Sequence, residues 1–215
     1  MKGRLLLIVG MFCAVPLLAQ NMKSVFIAMP DSITPLLTQV NKEDCVDFLD
    51  SNMKAEVTTR FGGKAEMKVL TDDYVFMQTT PNSSLEMKLL PVNDSVKVVC
   101  MVKTVCASAC DSEIHFYTSD WKEELSAKEF LQKPNAEAFY LPQDSITEEY
   151  ALIRKQVDMH LVKASLSKDA TSLTFIYTTP ESMNKEDKEK LLPYFRKEPI
   201  VLQWQEGKLT FQNNF

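Results

Sequence analysis

Cysteine and histidine are the side chains of this sequence most able to bind a metal or attack a substrate. Cys106 and Cys110 have a C-x3-C spacing that zinc sites use, and His115 follows them. A structural zinc site needs four ligands, however, and the sequence offers no fourth one here. In an oxidising compartment a disulfide is the simpler interpretation. We therefore expect no metal site.

Signatures of enzyme catalysis are also missing. A cysteine nucleophile would need His115 or His160 beside it, and no cysteine here has the flanking residues of a known nucleophile. The five glycines form no G-x-S-x-G turn, P-loop or dinucleotide fingerprint. A glycosidase needs two carboxyl groups about 5–10 Å apart across a cleft, whereas the acidic pairs of this chain are typical of solvated turns. The sequence predicts no catalytic and no cofactor-binding residue.

Methionine and aromatic side chains could form a binding surface instead. Four methionines fall in consecutive predicted strands, and a methionine row can be an adaptable surface or ordinary core. They are Met67, Met77, Met87 and Met101. Four aromatic residues could likewise line a groove, namely Trp121, Phe139, Tyr140 and Trp204. Burial preference favours core packing for both sets.

The N-terminal segment has the pattern of a signal peptide. Lys2 and Arg4 precede an apolar run over Leu5–Leu18, which is shorter than the ~20 residues of a membrane-spanning helix. Ala19 and Gln20 follow, and we expect cleavage near them. No later segment is apolar enough to span a bilayer. The protein is therefore expected in the periplasm or secreted.

The remaining chain has the composition of a folded, acidic protein. The full sequence has 215 residues, a net charge of −5 and 45% hydrophobic residues. Residues 1–20 carry two basic and no acidic side chains, so their removal leaves 195 residues with a net charge of −7. Such a chain can bury a core. Its acidic balance argues against nucleic acid and anionic membrane surfaces as partners.

Four cysteines would remain after cleavage, and they permit three pairings. We favour a Cys106–Cys110 disulfide, because the short segment between these residues resembles a loop. Cys45 and Cys100 would then pair with each other or remain as buried thiols.

Periodicity predicts an α+β fold with helices packed on an antiparallel β-meander. Thr34 and Pro35 are expected to begin a helix and Asn41 a second one, which gives a helix-loop-helix over about 34–52. Six strands follow, with a hairpin turn at Gly62 and Gly63. They are Val57–Phe61, Ala65–Leu70, Tyr74–Thr79, Leu85–Leu90, Val96–Val105 and Glu113–Thr118.

The second half predicts helices mixed with strands. Ser126 with Glu129 and Ser145 with Glu148 form capping-box patterns. Strands are expected at about 159–167 and 171–178, a helix over Asn184–Leu192, and a final hairpin over 200–212. We divide the chain into a signal peptide (1–20), an N-terminal unit (21–125) and a second unit (126–215). The two units could form one continuous domain.

Three short strings occur twice in the same order, which raises the hypothesis of two diverged copies of one helix-then-strands unit. The strings begin at Asp31, Phe76 and Lys88, and again at Asp144, Phe175 and Lys190. Chance is the alternative, because such short strings recur often. The hypothesis requires the same element order in residues 31–105 and 144–213.

Three segments resemble a family of exported Bacteroidales proteins of unknown function: Ser24–Thr38, Asp44–Asp50 and Arg60–Gly63. The similarity is nearly full-length and implies an exported origin, but no activity and no site residues. The architecture also resembles the helix-loop-helix and four-strand modules of β-lactamase-inhibitor-like proteins, which by itself implies no function.

Three serines lie in Asp-Ser-apolar strings that resemble O-glycosylation sites of Bacteroidetes. They are Ser32, Ser95 and Ser145. The same serines could serve as turn or helix caps.

The sequence favours a non-enzymatic envelope module that binds protein, peptide or glycan. A periplasmic hydrolase with carboxylates as acid and base is the second hypothesis. A structural or assembly component of the envelope is the third.

Overall fold

The computed structural model describes residues 21–141, 148–155, 157 and 159–211. The predicted signal peptide and Ser145 lie outside these residues. The described helices are α1 (Met22–Ile27), α2 (Gln39–Asp50), α3 (Ala127–Phe130), α4 (Glu148–Lys155) and α5 (Lys185–Leu191). The strands are β1 (Ala55–Thr58), β2 (Lys64–Leu70), β3 (Tyr74–Thr80), β4 (Ser83–Pro91), β5 (Lys97–Cys106), β6 (Cys110–Thr118), β7 (Glu124–Leu125), β8 (Val162–Leu166), β9 (Ser172–Tyr177), β10 (Ile200–Gln205) and β11 (Lys208–Phe211).

A seven-stranded antiparallel meander, here called sheet A, is the centre of the fold. Its strands follow chain order from β1 to β7. The turn between β1 and β2 places Gly62 at φ +82°, a left-handed conformation that glycine adopts without strain. The meander and the α+β class predicted from sequence are confirmed.

Both faces of sheet A are buried, each against a different layer. One face packs on α1 and α2 and holds the methionine row, of which Met77, Met87 and Met101 are fully buried. The other face packs against a four-stranded sheet, here called sheet B, with the order β11-β10-β9-β8. The methionines are therefore core, and Trp121, Phe139 and Tyr140 are buried as well.

Hydrogen bonds connect the two sheets in addition to their apolar contacts. The buried Lys88 ammonium donates to the carbonyl of Lys168 at 2.8 Å and pairs with Asp73 at 2.9 Å. The Trp204 indole of sheet B donates to the carbonyl of Pro91 at 2.6 Å. The sheets therefore share both a core and hydrogen bonds.

The predicted first helix is wrong. Residues 31–37 form consecutive turns, and the hydroxyl of Thr34 caps no helix. Thr38 caps α2 instead, in a capping box whose second partner is the side chain of Asn41. The predicted second helix therefore begins earlier than expected, and Asn41 lies in its first turn rather than at its N-cap. Helix α1 and strand β7 were not predicted.

The hypothesis of an internal duplication is also wrong by its own criterion. Over residues 31–105 one helix precedes five consecutive strands. In the described part of residues 144–213, α5 separates β8 and β9 from β10 and β11. Lys88 lies in a strand and Lys190 in a helix. The repeated strings therefore occupy different structural positions.

The structure contains a disulfide between Cys106 and Cys110, which close the hairpin of β5 and β6. Cys45 and Cys100 are free and buried. Within the described residues, no helix is long and apolar enough to span a membrane.

Two thiols are expected to be unreactive in the native protein. Burial raises the pKa of Cys45 to about 11 and raises that of Cys100 as well, and a thiol reacts as its thiolate. Ellman's reagent should therefore label no thiol of native residues 21–215. After unfolding without reductant, it should label both Cys45 and Cys100. Labelling of Cys106 or Cys110 before reduction would contradict the disulfide.

Candidate functional site

An apolar groove lies at one end of sheet A, on the face that carries the helices. One wall is the turn segment Ile33–Leu37, here called the groove loop, and the other is formed by Ser83–Leu85 and Lys103–Val105. Its volume is about 220 Å³. Buried Leu37 and Leu85 connect it to the core below. Val105 is 61% exposed at its edge, so an apolar surface continues outward.

Charged side chains hold the groove loop in place although it has no regular structure. The Lys42 ammonium is 1% exposed and donates to the carbonyl of Met29 and, at 3.3 Å, to Asp31. Arg60 donates to the other oxygen of Asp31 at 2.6 Å, and its backbone N–H donates to the carbonyl of Leu36. These two cations hold the pKa of Asp31 below its usual value. The loop is therefore fixed at both ends.

Two polar groups in the groove can still bind a ligand. The Thr34 hydroxyl is buried and has no hydrogen-bond partner among the described residues. The Lys103 ammonium donates to the carbonyl of Ile33 at 3.0 Å and, with three N–H bonds, can donate further. A buried hydroxyl without a partner is uncommon in native proteins. The groove therefore combines apolar walls with hydrogen-bonding capacity.

A second, more polar cavity of about 280 Å³ lies on the opposite face of the same strand ends, next to sheet B. We call it the polar pocket. Its lining includes Phe76, Gln78, Asn82, Ser84, Glu86 and Lys163. The alternation of strands explains the pair of cavities, because adjacent residues of β4 point to opposite faces. Leu85 thus faces the groove and Glu86 the polar pocket.

Glu86 is a buried acidic group of the polar pocket, at 6% exposure. Its Oε2 accepts a hydrogen bond from the N–H of Leu166 at 2.8 Å and another from the Tyr74 hydroxyl at 3.1 Å. Burial raises the pKa of the carboxyl group, against the opposite effects of these bonds and of the nearby Lys163. Burial and the neighbouring carboxyl also raise the pKa of Tyr74.

Glu86 also has a structural role at the edge of sheet B. Strand β8 is an edge strand, and its outward N–H groups need acceptors. Side chains of sheet A supply them: Asp111 to Val162, Ser112 to Ala164 and Glu86 to Leu166. Glu86 therefore joins the two sheets as well as lining a cavity.

The raised pKa of Glu86 predicts how stability depends on pH. The native state holds the Glu86 proton to a higher pH than the unfolded chain does, so the protonated carboxyl group stabilises the fold. This contribution is complete below the unfolded pKa near 4.5, and it is lost as pH rises through the folded pKa. Glu86→Gln has no proton to lose and retains an acceptor oxygen. The free energy of unfolding of this variant should rise relative to the wild type as pH increases from about 4 to 7. A difference that stays constant over this range would contradict the raised pKa.

The two histidines contact other polar side chains. His115 Nδ1 lies 2.8 Å from Glu124, and His160 Nδ1 lies 2.7 Å from the hydroxyl of Tyr177. Neither contact involves a cysteine. No group of three or more metal-binding side chains occurs in the described ranges.

The two predicted glycosylation serines within the described residues lie in different parts of the fold. Ser32 is exposed and directly precedes the groove loop, and Ser95 is exposed in the turn between β4 and β5. Asn93 accepts hydrogen bonds from the N–H groups of Ser95 and Val96, so the side chain of Asn93 caps this turn.

Sequence reasoning missed the residues that form both cavities. Thr34 was assigned to a helix cap and Lys103 to an ordinary strand position. One signal could have identified Glu86 and Lys88, since charged residues at alternate positions of a strand with two buried faces need buried partners.

Comparisons with known proteins agree with this architecture. A solved domain of an uncharacterized protein from Porphyromonas gingivalis W83, a Bacteroidales species, superposes with a TM-score of 0.80 at 29% sequence identity. The match covers 90% of this chain and 100% of that one. No curated protein matches this chain. The β-lactamase-inhibitor analogy stays a prediction. The family model described as "Protein of unknown function (DUF3256)" matches residues 14–209, and the chain therefore belongs to this family.

Proposed function

We propose that this protein is a non-enzymatic binding module whose groove receives an apolar side chain of a peptide segment in a partner protein. The observation that supports the proposal best is the buried Thr34 hydroxyl, which lines an apolar groove and has no partner among the described residues. A bound peptide would supply a backbone carbonyl to this hydroxyl while its side chain fills the groove. Apolar anchors that fill pockets supply most of the energy of many interfaces.

The size and fixation of the groove favour a peptide over a large apolar ligand. Its volume of about 220 Å³ is below the roughly 300–1,000 Å³ of drug-sized pockets, so it suits one large side chain. The ion pairs of Asp31 with Lys42 and Arg60 hold the groove loop before any ligand binds. Preorganisation of this kind reduces the entropic cost of binding. Lys103 at the rim favours peptides with acceptor or acidic groups near the anchor.

A random peptide library displayed on phage would test this function. Residues 21–215 would serve as bait, and each selected peptide would then be measured against two variants. Val105→Arg places a charge at the edge of the groove. Val201→Arg is the matched control, because Val201 is an exposed strand valine in sheet B.

The proposal predicts selected peptides that share one apolar anchor residue. Their affinity should fall at least about tenfold, or about 1.4 kcal/mol, with Val105→Arg and stay unchanged with Val201→Arg. Selected peptides that bind Val105→Arg as tightly as the wild type would place binding elsewhere and refute this site.

A hydrolase is the second candidate, because a carboxyl group of raised pKa in a pocket is a feature of acid–base catalysts. Among the described residues that line the polar pocket, however, Glu86 is the one carboxylate. The partner that a two-carboxylate mechanism needs is therefore not assembled there. Turnover of a chromogenic glycoside or ester that Glu86→Gln abolishes would favour the hydrolase over the binding module.

We further propose that the chain is exported and carries O-linked glycans. The basic and apolar N-terminal segment and the disulfide support export. Exposure of Ser32 and Ser95 makes both accessible for modification. The intact mass of protein from its native host should equal that of the chain from about residue 20 onward plus glycan. A mass equal to the unmodified polypeptide would reject glycosylation at all three serines.

A further inference from the structure

We propose that the polar pocket is a separate binding site for a single neutral sugar ring. The pocket brings one aromatic face, one buried carboxyl group, one ammonium and several uncharged polar side chains to one half-open cavity, to which sheet B contributes Lys163. The two cavities share the strand residues Ser83, Ser84 and Thr104. Phe76, Glu86 and Lys163 line the polar pocket and do not line the apolar groove. The proposal therefore does not depend on the peptide-binding function.

Several lining groups have hydrogen-bonding capacity beyond their internal bonds. Both bonds of Glu86 use Oε2, which leaves the acceptor Oε1. The Gln78 amide nitrogen donates to the carbonyls of Thr80 and Ser83, and this orients its acceptor oxygen. Asn82 and Ser84 add an amide and a hydroxyl at the mouth. Vicinal hydroxyls of a sugar can both donate to and accept from such a mixed set.

The fixed part of the site is already in place without a ligand. Glu86 is held by Leu166 and Tyr74, and the buried Thr104 hydroxyl is bonded to Ser112 at 2.8 Å. Phe76 is partly buried, and its ring offers an apolar face against which the C–H groups of a sugar can pack. Rigid polar groups around one apolar surface are what orient a small ligand in a pocket.

Charge and volume narrow the class of ligand. Glu86 and Lys163 supply charges of opposite sign, so the lining as a whole selects neither an anion nor a cation. The volume of about 280 Å³ is slightly below the roughly 300–1,000 Å³ of drug-sized pockets. One pyranose ring therefore fits better than an oligosaccharide, and a longer glycan would enter by one terminal residue.

The test is ligand-observed saturation-transfer NMR on residues 21–215. The probes are the methyl glycosides of glucose, galactose, mannose and N-acetylglucosamine, with glucuronic acid and glucosamine as charged comparisons. We expect transfer to at least one neutral glycoside, with an affinity of about millimolar, as is usual for so small a ligand. The charged sugars should bind more weakly.

Two pocket variants and two controls locate the site. Asn82→Ala and Lys163→Met each remove one hydrogen-bonding group and should weaken binding about fivefold. Two control variants should leave sugar binding unchanged. Lys168→Met replaces an exposed lysine in the adjacent turn, and Val105→Arg changes the apolar groove. Absence of transfer to every neutral glycoside, or transfer that both pocket variants retain in full, would overturn the proposal. Such a result would leave the peptide-binding function untouched.

Discussion

Replacing Phe116 by alanine is expected to lower the free energy of unfolding by about 3–5 kcal/mol. Phe116 is fully buried in β6, on the face of sheet A that packs against sheet B. Its ring stacks on Phe130 with 5.2 Å between the centroids. Truncation therefore leaves a cavity at the junction of both sheets rather than within one of them. Chemical denaturation followed by circular dichroism would measure the loss.

The matched control is Phe61→Ala. Phe61 is 73% exposed in the turn between β1 and β2, so its loss should change stability by no more than about 0.5 kcal/mol. A loss below about 1 kcal/mol for Phe116→Ala would contradict a core shared by the two sheets.

The same core predicts that the two halves unfold together. Trp121 donates to the carbonyl of Val25 in α1, and Trp204 lies in β10 of sheet B. The variants Trp121→Phe and Trp204→Phe each leave one fluorescent reporter. We propose that residues 21–211 form one continuous domain, in which both reporters show the same denaturation midpoint and both midpoints fall with Phe116→Ala. Separate midpoints would support two units divided near residue 125.

Replacing Glu86 by alanine is expected to lower the free energy of unfolding by about 2 kcal/mol. The substitution leaves the buried N–H of Leu166 and the hydroxyl of Tyr74 without their acceptor. Part of the loss is offset because the desolvated carboxyl group disappears with them. Glu86→Gln keeps an acceptor oxygen and should cost much less.

Glu113→Ala is the control for Glu86→Ala, since the Glu113 side chain is 78% exposed in strand β6 of the same sheet. It should change stability by no more than about 0.5 kcal/mol. Equal losses for Glu86→Ala and Glu86→Gln would show that the carboxyl group does not act through the bonds to Leu166 and Tyr74.

The meander could be predicted because its signals are local. Each strand alternates with period two, and turn residues such as Gly62 bound the strands, so neighbouring segments specify their own pairing. The buried methionines follow from the same alternation. The helix preceding the strands was predicted too, although its N-cap is Thr38 and not the predicted Asn41.

The groove and the polar pocket could not be predicted because distant segments form them. The conformation of the groove loop depends on Arg60 and Lys103, and Lys103 donates to a carbonyl 70 residues away along the chain. Glu86 receives its N–H donor from Leu166, 80 residues away. No periodicity within one segment encodes such contacts. The same limit made repeated strings resemble a duplication that the fold does not have.

Amide chemical-shift mapping with one of the selected peptides tests the central claim most directly. The peptide would be titrated into isotopically labelled residues 21–215, and the shift of each backbone amide would be followed. If the groove is the binding site, the largest changes will fall on Ile33–Leu37, Ser83–Leu85 and Lys103–Val105. The largest changes on the outer face of sheet B, around Ile176 and Val201, with none in the groove loop, would contradict the account.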